Sequence, residues 1–304
     1  MNPHSNLRGS LFMVVGMASF TINDAITKAV SSEMNFGQVM LVRGLFASVL
    51  VAALAWRRGA LRSPRAAMMR PVALRVAAEV AGTIVFLTAI VHLPLANTAA
   101  IFQALPLAVT LGAALFFAEP VGWRRWLAIS AGFLGVLIIV RPGLDGFNGY
   151  SLFALGSVFF FAVRDLATRP IPAHIPSLFI TFVTTLAVTG VGGIILVPLG
   201  GWSPLSFRAL SLLMLAAVLI LVGYQYVIMA LRAGDMSAVA PFRYTALVWA
   251  ILLGYLVFGD QPDRYMLLGA SFIVLSGLYA FYRERKLASM RPAATASAVP
   301  PEGV

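Results

Sequence analysis

Residues 23–28 read Asn-Asp-Ala-Ile-Thr-Lys, and residues 164–169 read Arg-Asp-Leu-Ala-Thr-Arg. The second stretch lies 141 residues after the first, and the same offset extends in both directions. Ser10-Leu11-Phe12 falls on Ser151-Leu152-Phe153, Gly82 on Gly223, Ala89 on Ala230, and Phe117-Ala118-Glu119 on Phe258-Gly259-Asp260. Coincidences such as Leu45 with Leu186, Leu74 with Leu215 or Leu134 with Leu275 are cheap in an apolar chain. The D-x-x-T-[KR] and F-[AG]-[ED] pairs, in register without a gap, mark an internal duplication.

The composition says what is duplicated. Of 304 residues 60% are apolar and only 11% charged, with a mean hydropathy of +0.91, whereas a soluble fold carries about 25% charged residues. At about 20 apolar residues per bilayer crossing, the punctuation by charges, Pro and Gly yields ten spans: 9–28, 37–56, 72–91, 96–117, 123–140, 149–168, 176–197, 208–230, 236–257 and 263–281. The chain is therefore read as an all-α membrane protein, and a soluble enzyme, a secreted disulfide scaffold and a nucleic-acid-binding domain are excluded. With no cysteine and three scattered histidines, His4, His92 and His174, no metal site, thiol chemistry or cofactor is expected.

Ten spans divide as five plus five. Five is odd, so the second copy enters the bilayer from the opposite side, and the halves, residues 1–144 and 145–286, are inverted repeats around a central cavity. Residues 287–304, small and Pro-rich, read as a disordered cytoplasmic tail. The net charge of +11 is read as topology. With the N-terminus in the cytoplasm, sixteen cations fall in inner loops and tails, Arg75 and Arg164 among them, against four (Lys28, Arg141, Arg208, Arg264) outside. Both termini are thus expected inside, in a multi-pass protein of the cell inner membrane.

The spans, the D-x-x-T-K end of the first and the turns Phe117-Ala118-Glu119-Pro120 and Phe258-Gly259-Asp260-Gln261-Pro262 resemble the EamA branch of the drug/metabolite transporter superfamily. The resemblance covers about residues 8–285. It implies that spans one to four and six to nine surround the cavity while spans five and ten stand at the periphery. Members of that superfamily export amino acids and other metabolites or import compounds such as riboflavin and S-adenosylmethionine.

Ionisable groups inside spans are costly and so become candidates. Asp24 and Arg43 sit at similar depth on consecutive antiparallel spans, as a gate, a substrate anchor or a structural ion pair. Glu79 and Arg243 are matched in depth in the same way, with Arg75 able to satisfy Glu79 locally, one turn away. Arg243 follows Pro241, which loosens its helix. At the 141 offset Gln103 corresponds to Tyr244, Phe102 to Arg243 and Thr83 to Tyr224. Phe102, Gln103, Tyr224, Tyr226, Tyr244 and Trp249 are accordingly expected to form an aromatic pocket with polar handles. Glu119 and Asp260 read as turn residues. Ala128/Gly132 and Ala131/Gly135 permit a close helix approach, either inside the molecule or in a homodimer.

No nucleotide-binding loop, metalloprotease motif or nucleophile elbow is present, so the chain is not expected to be an enzyme. The reading is a secondary transporter that moves a small organic metabolite by alternating access. An aromatic or heterocyclic solute, such as riboflavin or an aromatic amino acid, is favoured, with substrate between spans three–four and eight–nine. Export of polar amino acids or other metabolites, or broad drug efflux, is the alternative, and a channel the more remote one. Asp24 and Glu79 are the groups able to carry a coupling proton.

Overall fold

The computed structural model describes residues 3–61, 64–118, 122–143, 147–172, 174–233 and 239–289. Lipid offers no partner to a backbone N–H or C=O, so an apolar chain that crosses it satisfies those groups within helices. The helices are α1 (Pro3–Val30), α2 (Phe36–Arg57), α3 (Arg70–His92), α4 (Leu95–Phe102), α5 (Leu105–Phe116), α6 (Trp123–Val140), α7 (Tyr150–Thr168), α8 (Ser177–Leu196), α9 (Phe207–Ala233), α10 (Thr245–Phe258) and α11 (Arg264–Ser289), with 3-10 turns at Pro64–Met68 and Ala240–Tyr244. Among the described residues, nine stretches are long and apolar enough to cross a membrane, and α6 contributes a shorter apolar run, Trp126–Val140. The chain stays helical to Ser289, past the expected start of the tail at residue 287; residues 290–304 lie outside the described ones.

The order of contacts repeats with the duplication. Helix α1 packs on α9 and α3 on α7, while α2 meets α8 and α6 meets α11. Under the 141-residue offset the first two contacts exchange and the last two map onto themselves, as a pseudo-twofold axis requires. Single atoms obey the same rule. The Phe20 ring lies against the bare backbone of Gly223, and the Phe161 ring against Gly82; both members of one pair become the other at the offset. Ser48 and Thr189, themselves 141 apart, share a hydrogen bond of 3.3 Å across α2 and α8. The two sequence signatures also meet across the halves. The Lys28 ammonium stands 5.4 Å from the Phe258 ring and the Arg169 guanidinium 5.5 Å from the Phe117 ring.

Lys28 is therefore not a loop cation. It ends α1, and its ammonium donates to the carbonyls of Ile90, at 2.9 Å, and Leu93, so capping α3. Asp260 accepts from the Leu95 N–H at 3.2 Å and caps α4 from the opposite half; its counterpart Glu119 lies outside the described residues. Gln38, fully buried, is satisfied by the α8–α9 connection. Its side chain donates to the Ser203 carbonyl and accepts from the Ser203 N–H, both at 2.8 Å. The positive φ of Gly200 and Gly201 turns the chain back to allow this.

Helices α6 and α11 stand to one side, joined by small residues. A Cβ on Gly135 would come within 2.6 Å of the Gly269 carbonyl, and one on Gly269 within 2.4 Å of the Gly135 carbonyl. Gly132 faces Leu107 and Ser276. The Gly132 and Gly135 positions thus serve internal packing; they are not a dimer surface. In lipid, helix association rests on such close van der Waals contact. Gly269→Ala should force α6 and α11 apart and cost about 1–3 kcal/mol, the usual penalty for overpacking. A thermal unfolding scan in detergent reads this as a lowered midpoint, and an unchanged midpoint would refute the backbone contact.

Candidate functional site

Two spans are broken, and they break at equivalent places. The fourth is divided at Gln103–Ala104 into α4 and α5, with Pro106 at the start of α5. The ninth begins as the 3-10 turn 240–244, with Pro241 near its start, and becomes α-helical at Thr245. At the offset Ala104 falls on Thr245. Proline lacks an N–H and cannot continue the i→i−4 ladder, so each break frees backbone groups. Such freed groups survive at membrane depth only where protein or a cavity receives them. Here the Gln103 amide donates to the Arg243 carbonyl at 3.5 Å, one break to the other.

Between the halves lies a cavity of about 340 Å³ bounded by the first four spans together with the sixth, eighth and ninth. A smaller space of about 150 Å³, lined by Arg75, Thr181, Thr184 and Thr185, adjoins it and shares Arg43, Glu79 and Tyr224. Sequence reasoning placed the site between spans three–four and eight–nine; the cavity extends further, onto α1, α2 and α7. Its walls are aromatic. Phe86, Phe102 and Phe161 form one cluster, with ring centroids 5.4–6.4 Å apart. The Phe20 and Tyr224 rings meet edge to face at 5.1 Å.

Charged groups lie at two levels. Toward the last two turns of α1, Arg43 donates to Asn23 at 3.2 Å and to Thr27 at 3.1 Å, and the Asn23 amide donates to Asp24 at 3.0 Å. The expected Asp24–Arg43 pair is thus bridged by Asn23. At the other level Glu79 does not pair with Arg243. It accepts from Arg164 at 3.2 Å, and Arg164 also holds Asp165 at 2.8 Å. Nor does Arg75 satisfy Glu79; it donates to Thr184 at 2.7 Å across α3 and α8. Arg164 and Arg75 were both counted as loop cations, yet Arg164 lines the larger space and Arg75 the smaller one.

Of the residues expected in the aromatic pocket, Phe102, Gln103 and Tyr224 line the cavity, as do Arg243, Asp24, Arg43 and Glu79. Tyr226, Tyr244 and Trp249 do not. Tyr226 packs on Phe12 at 5.7 Å. Trp249 rests in an apolar cluster with Met13 and Met17. Tyr244 is buried against Gly277, its hydroxyl without a hydrogen-bond partner. Phe20, Phe86, Phe161 and Arg164 are among the cavity residues that sequence reasoning missed. The offset held the signal for Phe20 and Phe161, since it maps each of them and its glycine onto the other pair.

A bundle of two inverted halves with discontinuous helices facing a shared cavity is an architecture of membrane transporters. The chain belongs to the EamA-like transporter family, which matches it twice, over residues 7–141 and 149–282. It is 30% identical over 288 residues to a riboflavin transporter of Vibrio cholerae, covering 93% of this chain and 96% of that one. It is 23% identical to an S-adenosylmethionine uptake transporter of Rickettsia prowazekii, covering 94% and 96%, and 25% identical to the pseudopaline exporter CntI of Pseudomonas aeruginosa, covering 88% and 94%. A protein known from a crystal structure superposes with a TM-score of 0.64 over 94% of this chain and 99% of that one, at 16% identity. The protein is thus a membrane transporter of small metabolites and not an enzyme.

Two outcomes follow from the geometry. Arg164→Gln should destabilise the protein more than Glu79→Gln, because it leaves two carboxylates beside a neutral amide, whereas Glu79→Gln leaves Arg164 bound to Asp165. The cavity reaches Glu79 and Arg164, and Asp165 is partly exposed, so the cost should be at most about 3 kcal/mol; equal unfolding midpoints for the two variants would contradict the network. Tyr244→Phe removes an unsatisfied buried hydroxyl and should leave transport intact with an equal or higher midpoint. Lost transport would return Tyr244 to the site.

Proposed function

We propose that the protein carries an aromatic or heterocyclic metabolite across the inner membrane by alternating access, with both termini in the cytoplasm. The observation that supports this reading is the cavity at the paired helix breaks, walled by Phe20, Phe86, Phe102, Phe161 and Tyr224. Rings stack edge to face or offset on such walls, and a cavity of about 340 Å³ accommodates a bicyclic or tricyclic solute. Flavins and aromatic amino acids are the solute types favoured, the first in keeping with the Vibrio cholerae relative. Export of polar amino acids or other metabolites, or broad drug efflux, is the second reading; Asp24 and Arg43 at one end of the cavity would anchor a zwitterion.

Alternate exposure follows from the packing. The halves contact one another through pairs that exchange under the pseudo-twofold, so rocking one half on the other closes one face as it opens the other. Asp24 and Glu79 are the carboxylates positioned to take a coupling proton. The direction of net movement is set by the gradients. The test is reconstitution in liposomes with labelled aromatic amino acids, flavins, nucleosides and quaternary amines. Saturable accumulation of a ring-bearing solute, reduced at least tenfold by Phe161→Ala, is expected. Ion conductance without movement of any solute would overturn the reading in favour of a channel.

A further inference from the structure

The cations of the cavity differ in one respect. Arg43 donates to Asn23 and Thr27, Arg75 through one terminal nitrogen to Thr184 while its buried Nε has no partner, and Arg164 to Glu79 and Asp165. Among the described residues, the Arg243 guanidinium has no hydrogen-bond acceptor and no carboxylate within ion-pair reach. Asp165 acts on it through space but is already held by Arg164. Counting both spaces and Asp165, four guanidiniums (Arg43, Arg75, Arg164, Arg243) face three carboxylates (Asp24, Glu79, Asp165). One positive charge is left over, and among the described residues Arg243 is the guanidinium on the larger cavity that donates to nothing.

A cation without a paired carboxylate at membrane depth is costly, and the cavity gives a solute access to it. Arg243 stands at the break in the ninth span, its carbonyl tied to Gln103. Its equivalent in the other half is Phe102, which belongs to the phenylalanine cluster. Equivalent positions of the halves thus present a cation and a ring. Helices α5 and α10 both begin at the breaks, so the positive ends of two half-helix dipoles add to the same field.

We infer that Arg243 is the anion subsite of the carrier, and that among ring-bearing solutes it selects those that carry a carboxylate. The guanidinium takes the carboxylate as a bidentate pair while the ring lies against Phe102 and Phe161. A dianionic phosphate ester would leave a net negative charge in the cavity and fits less well. This inference rests on the cavity being the transport site for a ring-bearing solute.

The test uses the purified full-length protein in lipid nanodiscs and matched probes that differ only in charge: indole-3-acetate and indole-3-acetamide, 3-phenylpropionate and its amide, and phenyl phosphate. Binding is read by calorimetry. Wild type should bind each carboxylate about tenfold more tightly than its amide, a difference of about 1.4 kcal/mol, and more tightly than the phosphate. Arg243→Gln should abolish that preference and leave amide affinity within about twofold. Arg243→Lys should keep part of it, because a point charge loses the bidentate geometry. Equal affinity for acid and amide in the wild type, stronger binding of the phosphate, or equal weakening of both probes by Arg243→Gln would overturn the anion subsite while leaving the ring-binding cavity in place. No binding of any probe to the wild type would remove the ring-binding cavity, and the subsite with it.

Discussion

A phenylalanine on a glycine, made twice, is the contact on which the architecture turns. Lipid exerts no hydrophobic force between helices, since its tails are as apolar as leucine. Helices of opposite halves approach most closely where a side chain is missing. Gly223 admits Phe20 and Gly82 admits Phe161, fixing α1 on α9 and α7 on α3. The same two rings are cavity walls. The contact that joins the halves therefore also shapes the space between them, and a movement of one half cannot leave that space unchanged.

The helix breaks give this space its polarity. An unbroken span would present only side chains, whereas paired breaks at Gln103–Ala104 and 240–244 bring carbonyls and half-helix ends to the cavity. The charged residues are arranged around them at two levels, and each level crosses between spans: Arg43 reaches from α2 to α1, and Arg164 from α7 to α3. Breaking these links during rocking costs free energy unless solute, water or the opposite face replaces them. That balance is how a carrier ties movement of its halves to occupancy.

Much of the fold was legible in the sequence because it was written twice. The punctuation of the apolar runs set the number of spans, and the offset of 141 residues their inversion and the motifs that end them. What those motifs do was not visible. Only the structure sets Lys28 beside Phe258 and Arg169 beside Phe117, one half's motif on the other's. The site was half legible. Ionisable residues inside apolar runs stand out, so Asp24, Arg43, Glu79 and Arg243 were found, but depth alone does not name a partner, and Glu79 turned to Arg164. Arg164 escaped because four residues from a helix end reads as a loop. Tyr244 and Trp249 were misplaced because equivalence of position does not fix azimuth. Successive residues of a 3-10 turn point about 120° apart, so Arg243 faces the cavity while its neighbour Tyr244 faces Gly277. Among 21 phenylalanines, Phe161 stood out only through its pairing with Phe20 at the offset.

The chain contains no cysteine, so each introduced thiol is a unique label. The most direct measurement places one at exposed Ser32, after α1, or at exposed His174, after α7, and treats sealed right-side-out and inverted membrane vesicles with an impermeant maleimide. Labelling of the two variants in opposite vesicle types is the result expected of upside-down halves. Labelling of both in the same type would contradict the inverted pairing, and with it the shared cavity and the rocking carrier built on it.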